Sequence, residues 1–110
     1  MKEYQSVKRK ELVLPREIYY ECVWIVRGME RLERMVSDGD SDQGAYEEAF
    51  VRLCAIRSAL ERIPECYREG VLQSVIERGG RTPVGAHENT WKRYKQLFLH
   101  ELAKQLALTE

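Results

Sequence analysis

The sequence predicts an all-α protein, and three observations carry that prediction. Apolar residues recur at helical spacing in four stretches, Pro and Gly are few, with Gly39, Gly79-Gly80 and Pro64 marking boundaries between stretches, and no run alternates apolar and polar residues as a half-buried strand would. The composition agrees. Of 110 residues, 44% are hydrophobic and 33% charged, with only 7 Gly and 3 Pro, which fits one folded unit with its own core.

The elements follow in order. Residues 1–13 mix charge and polarity without a period and read as a loose basic arm carrying Lys8, Arg9 and Lys10. A helix then starts at Leu14-Pro15-Arg16-Glu17, with Pro where a missing N–H is harmless and Glu17 near the positive dipole end. Its seam of Ile18, Cys22, Ile25, Met29, Leu32 and Val36 has heptad spacing, weakened in the middle by Gly28. The stretch Ser37-Asp38-Gly39-Asp40-Ser41 stops it, and Ser41 or Asp42 can cap the next helix.

A second helix, from Gln43 to Ile63, carries a matching seam of Tyr46, Ala49, Leu53, Ile56, Leu60 and Ile63. Equal seams and a short connection predict an antiparallel helical hairpin over 15–63, and the same seams could instead join two copies as a homodimer. A hairpin cannot cover both of its faces. Tyr19, Tyr20, Val23, Trp24 and Phe50 must therefore meet the C-terminal helices or a second subunit.

Pro64 opens a third helix, with Tyr67, Val71, Leu72, Val75 and Ile76 on its apolar face, ending at Gly79-Gly80. After a joint from Arg81 to Glu88 comes NTWKRYKQLFLHELAKQLAL. Plotted at about 100° per residue, Trp91, Tyr94, Phe98, Leu102 and Leu106 fall on one side of this helix. Asn89, Lys92, Arg93, Gln96, His100 and Lys104 fall on the other, and Asn89 or Thr90 serves as N-cap.

The polar side offers what a DNA groove requires: Lys and Arg for phosphates, Asn and Gln for adenine, Arg for guanine. The chain as a whole is neutral, with 18 basic and 18 acidic residues, which argues against a protein that blankets DNA or anionic membrane through bulk charge. Charge is nevertheless segregated. From Arg78 to Lys104 six basic residues stand against two acidic ones, while 41–65 is net acidic. The expected nucleic-acid-binding residues are Arg81, Asn89, Thr90, Lys92, Arg93, Gln96, His100 and Lys104. Those near the helix start read bases, while Arg81 and Lys104 hold phosphates.

Other chemistries find little support. Asp38, Asp40 and Asp42 have the alternating spacing of a calcium loop. However, Gln43 stands where the turn needs Gly, and Ala49 where a Glu should close the shell. Three widely spaced cysteines, Cys22, Cys54 and Cys66, form neither a zinc pattern nor a disulfide framework, and Cys22 sits on the apolar seam. No nucleophile stands beside a base, GGRTPVG lacks a P-loop's ending, and the spacing of Trp91, Tyr94 and Phe98 marks a core face rather than a stacking platform. The expectation is a cytoplasmic protein that is not an enzyme, needs no cofactor and does not enter a membrane.

The run from Ile63 to Leu108 resembles the C-terminal portion of small phage-encoded transcriptional regulators of the RinA and ArpU type and, distantly, sigma factor region 4. Ile63-Pro64-Glu65-Cys66-Tyr67-Arg68 corresponds to the opening of their support helix, and Asn89-Thr90-Trp91-Lys92-Arg93 to the start of the groove-bound helix. The segment ELVLPREIYYECVWIVRGMERL resembles the N-terminal helix of short phage-associated proteins of Gram-positive bacteria. The resemblance implies a two-helix, helix-turn-helix-like unit over 64–110, binding duplex DNA in phage or prophage transcription, with RNA polymerase as a further partner. The chain departs from the sigma pattern at TPVGAHE, which stands where a second helix and tight turn would be. The alternative from another class is a helical protein–protein adaptor working through the seams and Tyr19, Val23, Trp24 or Phe50.

Overall fold

The computed structural model describes residues 13–38, 42–77 and 88–108, with the side chains of 88 and 89 outside that description. The described residues form five helices and no strand: α1 (Arg16–Arg27), α2 (Met29–Asp38), α3 (Gln43–Leu60), α4 (Glu65–Ile76) and α5 (Glu88–Gln105). The arm lies outside the described residues except for Val13, and so does most of the joint before α5.

The first expected helix is two. Gly28 separates α1 from α2 with φ −88° and ψ 8°, and its N–H is shared between the Trp24 and Ile25 carbonyls at 3.0 and 3.2 Å. Helical hydrogen bonding resumes at once, since the Leu32 N–H reaches the Gly28 carbonyl at 3.0 Å. Among the described residues no foreign backbone approaches the glycine: a Cβ there would meet the Trp24 and Ile25 carbonyl oxygens, at 3.5 and 3.6 Å. The break therefore sits at the residue with least helix propensity, which costs about 1 kcal/mol relative to Ala in a helix interior.

The break changes the architecture. Only α2 lies along α3, whereas α1 turns to α4 and α5. The expected two-helix hairpin over 15–63 is thus replaced by a shorter α2–α3 pair, with α1 in a separate layer. Helical spacing is the same on both sides of Gly28, so it could not reveal where the partner changes.

α5 is the hub and packs against α1, α3 and α4. Phe98, Leu99, Leu102 and Ala103 are fully buried there, together with Cys22, Val23 and Val26 of α1, Leu53, Ile56 and Ala59 of α3, and Val71 and Val75 of α4. Both seams close inside the chain: Cys22, Leu32, Ala49, Leu53, Ile56 and Ile63 belong to its own core.

Side chains complete the helix ends. The Asp42 carboxylate accepts the Ala45 N–H at 2.8 Å, as an N-cap should. Arg68 reaches back from α4 to cap the end of α3, its Nε–H donating to the Leu60 and Ile63 carbonyls at 3.0 and 2.9 Å. At the end of α5, Leu108 N–H bonds the Ala103 carbonyl at 2.9 Å and Ala107 N–H the Lys104 carbonyl at 3.1 Å, a Schellman closure. It places Ala107 at φ 57°, where an L side chain is strained. Among the described residues no helix is long and apolar enough to cross a membrane, and no cluster of His, Cys, Asp and Glu could hold a metal.

Candidate nucleic-acid interface

α5 begins beside α4 in an unexpected sense. Tyr67, in the first turn of α4, meets Trp91 edge-on at 4.9 Å between ring centroids and Tyr94 at 4.8 Å. Both helices therefore start at the same place. In a tight helix-turn-helix the second helix starts where the first ends, which here would be about 13 Å further along α4. The aromatic cluster is the anchor of α5, and the Trp91 indole N–H is buried there with no hydrogen-bond partner among the described residues.

The expected apolar face of α5 is only part of its buried arc. Phe98 and Leu102 are buried as expected, and Trp91, Tyr94 and Leu106 are half-buried against the core. Leu99, Ala103 and Gln96 are buried as well, because three neighbouring helices enclose more of the circumference than one apolar stripe would.

This wider arc corrects the polar face. Gln96, expected to reach a base edge, is 5% exposed and belongs to the interior. His100 and Thr90 are half-buried. Lys92, Arg93 and Lys104 are exposed as expected, while Arg81 and the Asn89 side chain lie outside the described residues. Arg93, His100 and Lys104 share one edge of the helix, and Lys92 points to a different side at its first turns. Arg93 and Lys104 stand about 16 Å apart along the axis.

The exposed side chains described on α5 are Lys92, Arg93, Lys104 and Gln105, none of them acidic. Glu101, the acidic residue whose side chain is described on α5, is turned in and lies 3.9 Å from Arg62. What the edge can do chemically is present cations to a polyanion along one line. Among the described residues no group of His, Cys, Asp and Glu there could hold a metal ion.

A second exposed feature lies elsewhere. Trp24 on α1 is 64% exposed, and Phe50 and Val51 on α3 are 48% and 56% exposed, whereas Tyr19 and Val23 are buried. The Arg27 guanidinium sits 5.5 Å from the Trp24 ring centre and that of Arg16 5.8 Å from Tyr20. These Arg–aromatic pairs were missed in the sequence, although their spacing of three and four residues was the signal that could have found them. Comparison with known proteins found no matching family model, no matching curated protein and no matching solved structure.

Proposed function

We propose that this chain is a small helical DNA-binding protein acting in phage or prophage transcription, and that it holds the duplex along the exposed edge of α5. The observation that carries the reading is that edge itself: Arg93 and Lys104 stand exposed on it, with Lys92 exposed on a neighbouring side, and no exposed acidic residue is among the described side chains of α5. The resemblance to phage regulators supports it. Cations in a line are suited to phosphates, which position a protein on DNA. Base contacts then fall to Arg93 and Asn89 at the start of the helix, not to Gln96.

The test is fluorescence anisotropy of a labelled duplex from the protein's own upstream region, titrated across a salt series. The affinity should fall with salt at a slope of about 0.9 per phosphate neutralised, and Arg93→Ala and Lys104→Ala should each lower that slope by about 1. Absence of binding at low salt would overturn the reading. So would equal affinity of both variants and the parent.

A second reading is favoured by the exposure of Trp24, Phe50 and Val51. In that reading the chain is an adaptor for another protein, RNA polymerase among the candidates, and the cations of α5 are a solvated edge. Trp24→Ala or Phe50→Ala would then abolish partner binding while Arg93→Ala would leave it unchanged.

A further inference from the structure

The outward face of α1 has a symmetry that a solvated face does not need. Cys22, Val23, Val26 and Tyr19 turn into the core. Away from these run Glu17 and Trp24, both exposed, and Tyr20 and Arg27, half-buried along the same stripe, spaced three, four and three residues apart. Reversing the helix direction lays this pattern on itself, with Glu17 meeting Arg27 and Tyr20 meeting Trp24. A two-fold interface requires such self-complementarity, because residue i on one copy meets residue j on the other and j meets i.

The side chains are also held in place. The Arg27 Nε–H donates to the Val75 carbonyl of α4 at 2.9 Å, which fixes the guanidinium beside the Trp24 ring. Arg16 lies over Tyr20 in the same way. Trp, Tyr and Arg are the residue types that dominate binding energy at protein interfaces. The exposed Phe50 and Val51 on α3 are neighbours in sequence and so point about 100° apart, and they form no such repeat.

We propose that a second copy of this chain covers this face. Two α1 helices pack antiparallel about a two-fold axis level with residue 22. Trp24 of each copy lies on Tyr20 of the other, and Arg27 of each faces Glu17 of the other. The interface is one helix pair, about 18 Å long, which places it at the small end of specific interfaces. The proposal stands on α1 alone and holds whether or not α5 binds DNA.

Sedimentation equilibrium of the full chain from about 5 to about 200 µM, the range in which so small an interface dissociates, is the test. The mass should rise from one chain toward two across this range. Trp24→Ala should weaken association by tenfold or more, as should Glu17→Arg, whose side chain is exposed and leaves the interior untouched. Arg27→Glu should weaken it likewise, and joining it to Glu17→Arg should restore the dimer because the two charges have exchanged places. Circular dichroism of each variant separates lost association from lost fold. A chain that stays monomeric throughout overturns the proposal, and so does a dimer indifferent to Trp24→Ala and Glu17→Arg.

Discussion

Replacing Phe98 by alanine distinguishes a central α5 from one that projects to read a groove. Phe98 has no exposed surface and lies midway along a helix that touches three others. Removing a fully buried phenyl ring costs about 3 to 5 kcal/mol, the lost transfer energy plus a cavity that a tightly packed site closes only in part. Total stability for a domain of this size is about 5 to 15 kcal/mol, so the variant should lose at least about a fifth of it. Urea unfolding followed by far-ultraviolet circular dichroism would show the loss as a lower midpoint at unchanged slope. Phe98→Leu keeps most of the apolar volume, should lose only about 1 to 2 kcal/mol, and provides a measurable step if the alanine variant does not fold. Arg93→Ala on the exposed edge should stay within about 0.5 kcal/mol of the parent. A cost below about 1.5 kcal/mol for Phe98→Ala would refute the central placement of α5, because only a side chain free of enclosing neighbours could be lost so cheaply.

Three other residues give outcomes that can be checked as directly. Ala107→Gly should raise stability by about 1 kcal/mol in thermal or urea unfolding, because glycine takes the left-handed conformation of the α5 terminus without strain; a destabilised variant would mean that the closure does not form. Arg68→Ala should cost about 1 to 3 kcal/mol by removing the guanidinium donor from the Ile63 carbonyl and leaving the Leu60 carbonyl only the Ile63 N–H, and Arg68→Lys should recover only part of the loss, since one ammonium cannot reproduce the guanidinium geometry. Burial, with the neighbouring Glu21 charge adding to it, pushes the Cys22 thiol from 9.0 up to about 12. The folded chain thus keeps this proton to higher pH than the unfolded chain, and the stability from this group is complete below pH 9 and lost as pH climbs toward 12. A thiol reagent at neutral pH should modify the exposed Cys54 and Cys66 and spare Cys22; three equally fast reactions would contradict its burial.

The sequence pattern revealed the helices more readily than their partners. Period and punctuation located α3, α4 and α5, because Pro64, the acidic stop after Val36 and the Gly-rich joint are local signals that no distant contact overrides. Asp42 was legible as a cap for the same reason. The split at Gly28 was visible as a weak point but not as a change of partner, since the seam runs through it without losing register. On α5 the error lay in assuming one apolar stripe. A helix enclosed by three neighbours buries positions on both flanks of its stripe, and Gln96 is taken in with Leu99 and Ala103. No local pattern distinguishes such a glutamine from one facing solvent, because the number of neighbours is set by the topology of the whole chain.

The central position of α5 also limits how it can meet DNA. A helix that lies deep in a major groove must leave a broad face open along its first turns, where the base-reading side chains stand. Here Trp91 and Tyr94 tie those turns to Tyr67, and Gln96 is enclosed one turn later. What remains is a narrow basic edge, suited to following a phosphate line. Contacts of that kind add affinity without much sequence information, and in a chain of zero net charge one edge supplies only a few of them. Pairing two chains through α1 would double the phosphate contacts and fix the distance between the two edges. Spacing would then contribute discrimination that a single enclosed helix cannot supply. The two proposals can be tested separately, yet they bear on each other. If α1 pairs and α5 binds DNA as proposed, Trp24→Ala should weaken DNA binding without touching α5, and should lower the salt slope toward half the parent's value.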